Sequence, residues 1–362
     1  MNLLLAALFI SACFLAYSNG ANDNFKGVAT LFGSQTTGYR SAITWATCTT
    51  LLGSVAAIFL ASSLAKNFSG KGLVPDELLL APAFAVSIAF SAGLTVFLAT
   101  RIGIPVSTTH ALVGALFGAG VVAAGDQMNF ARLGETFLIP LIVSPLIATL
   151  LSTIAYIILR RLRVAFGDTK KTCVCVGPKK ADAPSSTPVT VADEQECVEI
   201  YQGNFVGINA QKLLDVMHYL SAGIVSFARG LNDTPKIVGL LMVVNQLQIE
   251  WGMIAVAIAM AVGGLVSARR VGETIAQGIT PMNHGQGFTA NLITGLLVTT
   301  ASVHGLPVST THVSVGSIFG IGLIIGETDS KVVCKILISW MLTLPVATIC
   351  AAAIYWALSH LL

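Results

Sequence analysis

Charged residues are scarce in this sequence. Asp, Glu, Lys and Arg make up 10% of its 362 residues, whereas hydrophobic residues make up 54%. A soluble domain carries about 25% charged residues, so this composition excludes an ordinary soluble domain and is typical of a protein that crosses a membrane several times. The net charge of +3 is too small to indicate a nucleic-acid partner.

Signatures of catalysis and of resident metals are also missing. The sequence has no P-loop, no Gly-x-Ser-x-Gly motif and no zinc signature, so it gives little support to an enzyme or to an organic cofactor. The seven cysteines do not change this expectation, because Cys173, Cys175 and Cys197 match no standard zinc spacing.

Apolar runs dominate instead and predict the membrane segments. Several of these runs are shorter than the ~20 residues that a full crossing needs. The first has no positively charged start and no clear cleavage site, so we expect a retained span and not a signal peptide. The predicted segments lie at about 3–19, 41–62, 78–100, 106–124, 136–160, 211–228, 234–247, 251–268, 289–303, 306–326 and 332–359.

A polar stretch over residues 161–207 divides the chain. It is basic at first, then rich in Pro, Ser and Thr, then acidic, which predicts a mobile loop. Its Lys and Arg residues place it on the cytoplasmic side. The expected domains are a first transmembrane repeat at 1–160, this loop, and a second repeat at 208–362. Five crossings on either side of the loop would place both termini outside and give the halves opposite orientations.

Two motifs occur twice, in the same order. "GANDNFKGVATLF" at 20–32 aligns with "GLNDTPKIVGLLM" at 230–242, and "GIPVSTTH" at 103–110 aligns with "GLPVSTTH" at 305–312. Short segments interrupted by Gly or Pro at matching places indicate broken helices. The predicted fold is therefore an all-α polytopic membrane protein with two inverted-topology repeats of about five to six transmembrane segments and discontinuous helices.

The Ser-Thr-Thr runs predict an anion site. A proline disfavours helix before each run, and Ser and Thr are favoured N-caps, so each run is expected to begin a half-helix. Free N–H groups, hydroxyls and the positive end of a helix suit a tetrahedral oxyanion. The alternative is that these hydroxyls only cap or cross-link helices. The residues are Ser107, Thr108, Thr109, Ser309, Thr310 and Thr311.

The Asn-Asp pairs predict a cation site, a salt bridge, or both together. A carboxylate at membrane depth is costly and needs a partner. In one interpretation, a broken helix and the oxygens of Asn22, Asp23, Asn232 and Asp233 hold a hard cation. In the other, Lys26 and Lys236, three residues further on, neutralise the aspartates, with Arg229 nearby. Two helix ends supply only about +1 in total, so two bare aspartates would repel an anion until cations bind them.

Three further polar residues lie in or between the apolar runs. His110 and His312 close the two Ser-Thr-Thr-His runs and are expected to hydrogen-bond across helices, with a metal pair as the alternative. Gln286, in the polar break "ITPMNHGQGF", is a candidate to reach a central ligand.

The paired "GAND/GLND" and "PVSTTH" motifs, split by a polar loop, resemble the inorganic phosphate transporter (PiT) family over nearly the whole chain except about 161–205. The resemblance implies a sodium- or proton-driven phosphate symporter of the plasma membrane, often a homodimer embedded in lipid. It implies sodium on Asn22, Asp23, Asn232 and Asp233. The implied phosphate ligands are those four residues with Ser107, Thr108, Thr109, Thr234, Ser309, Thr310 and Thr311, and we add Gln286 as a further candidate. The "NFK" continuation departs from the small and polar residues that this family suggests.

Substrate and coupling ion are open to alternatives. Phosphate keeps a proton near neutral pH and can donate a hydrogen bond to Asp23 or Asp233, which sulfate cannot, so phosphate is expected over sulfate. The Gly-Ala-Asn-Asp form is more similar to sodium-driven members than to proton-driven ones. The remaining alternatives are a proton-coupled phosphate or sulfate permease, an anion channel and a non-transporting membrane receptor.

Overall fold

The computed structural model describes residues 2–165, 170–175, 197–202, 204–205, 208–243, 249–278, 282–326 and 328–361, and most of these are helical. The first half contains five long helices with four short ones between them. The long helices are α1 (Asn2–Asp23), α3 (Tyr39–Leu60), α6 (Pro82–Arg101), α7 (Thr108–Ala124) and α9 (Ile139–Ala165). The short ones are α2 (Ala29–Gly33), α4 (Ser62–Phe68), α5 (Asp76–Leu79) and α8 (Phe130–Leu133).

The second half again contains five long helices among its described residues. They are α10 (Ala210–Val238), α11 (Ile249–Ser267), α13 (His284–Val303), α14 (Thr310–Ile325) and α15 (Ser330–Leu361). A shorter helix, α12 (Arg269–Gly278), follows α11.

The two halves pack in matching ways. Helix α1 packs against α6 and α11, and its counterpart α10 packs against α13 and α3. Likewise α7 packs against α15, and α14 packs against α9. The internal repeat seen in the sequence is therefore also present in the helix packing. The opposite orientation of the halves in the membrane stays a prediction.

Glycines at equivalent positions let the two halves approach closely. A Cβ added at Gly20 would lie 1.9 Å from the carbonyl oxygen of Met260, and one added at Gly230 would lie 2.1 Å from that of Thr50. Small residues allow helix backbones to meet in this way inside a membrane. The helices that carry the Asn-Asp pairs are thus held tightly against the opposite half.

The described residues include seven helical segments that are long and apolar enough to cross a membrane, from Leu3–Gly33 to Ser330–Leu361. Many large apolar side chains on these segments face outward, among them Phe59, Ile142 and Met341. Lipid tails are the surroundings that such a surface fits. The chain is therefore a multi-pass membrane protein.

The helix breaks differ between the two repeats. Helix α1 ends at Asp23 and continues as a 3-10 helix over Asn24–Val28. Helix α10 runs unbroken through Asn232 and Asp233 to Val238, and the 3-10 helix follows only at Gly239–Val243. The predicted break at the second Asn-Asp pair is therefore wrong, because Pro235 is accommodated inside a continuous helix.

Parts of the central segment form strands. Strand β1 (Lys170–Cys175) pairs antiparallel with β2 (Cys197–Gln202), and β3 (Asn204–Phe205) pairs with β4 (Ile208–Asn209). The expectation of a plain loop is wrong for these residues. Most of the Pro/Ser/Thr-rich and acidic part lies outside the described residues, and the cytoplasmic location stays a prediction.

Candidate functional site

Two helix N-termini form one side of the site. The Ser107 hydroxyl accepts a hydrogen bond from the His110 N–H at 3.1 Å, and the Ser309 hydroxyl accepts one from the His312 N–H at 3.3 Å. These serines are the N-caps of α7 and α14, which confirms the predicted helix starts. Both serines and the threonines that follow them are buried. The positive ends of two helices therefore point into the protein interior.

Asn19 joins the two aspartates. Its side-chain NH₂ lies 3.0 Å from Asp23 Oδ2, 3.2 Å from Asp233 Oδ2 and 3.0 Å from the Thr108 hydroxyl. The Thr108 hydroxyl itself donates to Asp23 Oδ2 at 3.0 Å. The two Asn-Asp motifs, 210 residues apart in the sequence, thus meet across a single amide.

Lys26 lies inside a cage of oxygens. Its ammonium donates to the side-chain oxygens of Asn22 and Asp23, to the carbonyl of Val106 at 2.7 Å and to the Thr311 hydroxyl at 2.6 Å. Thr311 belongs to the second repeat and the other three to the first, so this ammonium connects the halves.

Lys236 repeats the arrangement from the other side. Its ammonium donates to Asp233 Oδ1 at 3.2 Å, to the carbonyl of Val308 at 2.7 Å and to the Thr109 hydroxyl at 2.7 Å. Thr109 belongs to the first repeat, so the connection between the halves is made twice. Both lysines are buried, at 3% and 1% exposed.

Arg229 adds a third buried cation. Its guanidinium donates to Asn19 Oδ1 at 2.8 Å and to Asn24 Oδ1 at 2.9 Å, and its Nε lies 3.8 Å from Asp233 Oδ2. Asn19 and Arg229 occupy equivalent positions in the two motifs, one residue before the glycine. Asn19 and Arg229 therefore make the two repeats differ at this position, and a single guanidinium lies at the centre of the cluster.

The formal charges of this cluster favour an anion. Asp23 and Asp233 are matched by the cations of Lys26, Lys236 and Arg229, which leaves one positive charge in excess before the helix ends are counted. None of the five side chains is more than 5% exposed. The predicted salt bridges are confirmed. The aspartates therefore have counter-charges within the chain, and the cation site expected on the same residues stays a prediction.

Most of the candidate binding residues form one cluster, but two do not join it. The hydroxyl of Thr234 donates to Ser54, on the α3 side of its helix. Gln286 forms a capping box with Asn283 at the start of α13, and its amide contacts Tyr156. The polar groups of these two residues are engaged elsewhere, which corrects the expectation that they bind a central ligand. The clustered candidates are Asn22, Asp23, Thr108, Thr109, Asn232, Asp233, Thr310 and Thr311, with Ser107 and Ser309 as caps.

The two motif histidines meet each other. The ring centroids of His110 and His312 are 4.4 Å apart, and His312 stacks on Trp340 at 3.7 Å. His312 Nδ1 lies 3.3 Å from the Leu141 carbonyl, which agrees with the expected hydrogen bond across helices. In the part of the chain that the structure describes, no group of three or more His, Cys, Asp or Glu side chains is arranged for a metal ion.

Asn19 is the central residue that the sequence interpretation missed. It lies next to the recognised motif and differs from Arg229 at the equivalent position, so identity between the repeats does not single it out. Extending the alignment of the repeats by one residue toward the N-terminus would have placed an amide opposite a guanidinium.

The aspartates also bear on the choice of anion. Both oxygens of Asp23 and both of Asp233 already have donors or cations within the chain. Because a carboxylate oxygen can accept two hydrogen bonds, these contacts do not use up the acceptors that a phosphate proton needs. The preference for phosphate over sulfate stays a prediction.

Comparisons with known proteins agree with a transporter. A relative from Haemophilus influenzae, whose name places it among phosphate permeases, is 27% identical, with 95% of this chain and 94% of the relative covered. One from Rhizobium meliloti, named for low-affinity inorganic phosphate transport, is 25% identical, with 98% and 96% covered. A solved structure described as the sodium-dependent phosphate transporter covers both chains fully at a TM-score of 0.80 and 24% identity, which shows a shared fold. A model described as the phosphate transporter family matches residues 19–351, and the chain belongs to this family.

Proposed function

We propose that this chain carries inorganic phosphate across the membrane by alternating access, with the phosphate bound between the two Ser-Thr-Thr helix ends. One observation carries the proposal: two buried helix N-termini and three buried cationic side chains converge on one place. Such an arrangement is costly in a membrane and is compensated by an anionic ligand. Membership of the phosphate transporter family supports phosphate as that anion.

The threonine hydroxyls would supply the remaining donors. Thr109 and Thr311 now donate to the carbonyls of Val308 and Val106, and Thr108 donates to Asp23. A hydroxyl hydrogen rotates freely, so these donors can turn to a phosphate oxygen. The oxygens of Thr109 and Thr311 can meanwhile keep accepting from the lysines, and that of Thr108 from Asn19. We assign phosphate binding to these threonines, to Thr310 and to the free N–H groups of α7 and α14.

The contacts between the halves support alternating access. Lys26–Thr311 and Lys236–Thr109 both cross from one repeat to the other. A site built at the interface of two repeats is the arrangement in which one repeat can rock against the other around the bound substrate. We propose that the crossing hydrogen bonds are exchanged as the halves move.

The coupling ion is a separate question. The family resemblance predicts sodium on Asn22, Asp23, Asn232 and Asp233, with protons as the alternative. In the described structure the ammonium groups of Lys26 and Lys236 contact oxygens of three of these four residues, Asn22, Asp23 and Asp233. The proposal also includes placement in the plasma membrane as a homodimer, with both termini outside and the central segment cytoplasmic.

Labelled phosphate uptake into proteoliposomes tests the proposal. Uptake should be inhibited by unlabelled phosphate more strongly than by sulfate, and phosphate loaded inside the vesicles should accelerate it. Arg229→Gln should lower uptake at least about tenfold, because it removes a buried charge-assisted donor. A comparison of uptake under a sodium gradient, a proton gradient and no gradient identifies the coupling ion. Flux that internal phosphate does not accelerate would indicate an anion channel, and an absence of flux would indicate a non-transporting receptor.

A further inference from the structure

We propose that the ammonium groups of Lys26 and Lys236 act as built-in cations of the anion site, so that phosphate binding and transport need no sodium. The inference rests on the proposed function and deepens it. It starts from the paired lysines of "NDNFK" and "NDTPK", the first of which lies in the continuation that departs from the family pattern.

The ligands of each ammonium are those of a hard-cation site. Lys26 Nζ is surrounded by a carboxylate, an amide oxygen, a backbone carbonyl and a hydroxyl. Lys236 Nζ has a carboxylate, a backbone carbonyl and a hydroxyl. Oxygens of these three or four kinds, gathered from three segments of the chain, are what protein sites offer to a hard cation. Each ammonium therefore occupies the centre that a bound cation would occupy.

The two backbone carbonyls come from the non-helical residues that precede α7 and α14. Val106 and Val308 each precede a Ser-Thr-Thr run, where the carbonyl oxygen is not used by a helix. Unwound carbonyls of this kind coordinate coupling ions in transporters with discontinuous helices. Here the same two carbonyls accept from lysines at 2.7 Å.

The charge count leaves no requirement for a mobile cation. Each aspartate has its own ammonium, and Arg229 adds a further positive charge. A sodium ion at either aspartate would lie beside an ammonium that shares the same oxygens, and the two like charges would repel each other at short range. Phosphate, by contrast, meets an excess of positive charge without any cation from solution.

Each of the two lysines also contacts a threonine that we assign to phosphate binding. Lys26 contacts Thr311 and Lys236 contacts Thr109, so each ammonium reaches the hydroxyl at the helix end of the opposite repeat. A lysine with a purely structural role would need only the aspartate of its own helix. Contact with a residue that we assign to phosphate binding places the positive charge next to the anion.

The experiment compares sodium with choline as the external cation. For the wild-type protein, phosphate uptake into proteoliposomes and inorganic phosphate binding in detergent should each differ by less than about twofold between the two, because sodium is not linked to phosphate binding. Uptake or binding that requires sodium would overturn the inference and leave phosphate transport intact. No uptake in either medium, with or without a proton gradient, would overturn the proposed function and this inference with it.

Removing an ammonium gives the second test. Lys26→Ala and Lys236→Ala should each lower phosphate binding at least about tenfold in choline, and sodium should restore part of it, because the vacated oxygens then suit a free cation. Lys66→Ala, at an exposed position on α4, is the matched control and should leave binding unchanged in both media. Loss of binding without any recovery in sodium, in a variant that remains monodisperse, would overturn the substitution of sodium by lysine.

Discussion

The pair formed by Asp23 and Lys26 should show strong energetic coupling. Lys26→Met keeps most of the side-chain volume but leaves the Asp23 carboxylate, buried to 2% exposure, without its ammonium. Asp23→Asn leaves the ammonium without its carboxylate. Removing one partner of a buried ion pair costs about 3–5 kcal/mol, whereas replacing both by neutral groups is far less costly. We therefore expect the double variant to be more stable than the sum of the single effects predicts by at least about 3–5 kcal/mol, the cost of one single variant.

The assay is thermal unfolding of the purified protein in detergent at one fixed heating rate, since the unfolding of a large membrane protein is governed by its rate. Each single variant should lower the apparent midpoint by about 6–20 °C, given that 1 kcal/mol shifts the midpoint by about 2–4 °C in large domains. The exposed pair Arg269–Glu273 is the matched control. Glu273→Gln should cost at most about 1 kcal/mol, because exposed pairs contribute little.

Two results would refute this reasoning. Single variants as stable as the wild type would mean that the buried pair is not formed as described. A double variant whose loss equals the sum of the single losses would mean that the two side chains do not interact. In either case the charge balance assigned to the site would be wrong. The double variant should still fail to transport phosphate, because it lacks the positive charge beside Thr311.

Four other variants test three separate features of the structure. Gly118→Ala should destabilise the protein strongly, since the new Cβ would lie 2.0 Å from the Thr348 carbonyl, whereas Gly134→Ala, with nothing within 4 Å, should not; thermal unfolding compares them. Thr109→Val should weaken phosphate binding by about tenfold through loss of a donor beside a charged group, measured by titration with inorganic phosphate. Gln286→Ala should lower the unfolding temperature slightly through loss of the α13 cap and leave the KM for phosphate uptake unchanged.

Much of the fold could be predicted from the sequence. Long apolar runs and scarce charge indicate membrane helices directly, and the duplicated motifs revealed the internal repeat before any packing was known. The starts of α7 and α14 were also predictable, because a proline followed by Ser-Thr-Thr favours an N-cap at Ser107 and Ser309. These features depend on local chain chemistry, which the sequence carries.

The site was predicted less completely, because its contacts join distant parts of the chain. The sequence placed Lys26 three residues after Asp23, but it could not show that the same ammonium reaches Val106 and Thr311. The sequence did not predict that α10 is continuous, because a proline usually interrupts a helix. In this structure the surrounding packing accommodates Pro235. Gln286 was misplaced because a polar residue in a break can serve the helix end as well as a ligand.

Phosphate counterflow in sodium-free proteoliposomes tests the central claim most directly. Vesicles loaded with unlabelled phosphate are diluted into choline medium that contains labelled phosphate, and the label inside is followed over time. A carrier with tethered cations predicts a transient accumulation of label above equilibrium in choline, of the same size as in sodium. Accumulation only in sodium would contradict the role of Lys26 and Lys236, and simple equilibration in both media would contradict alternating access.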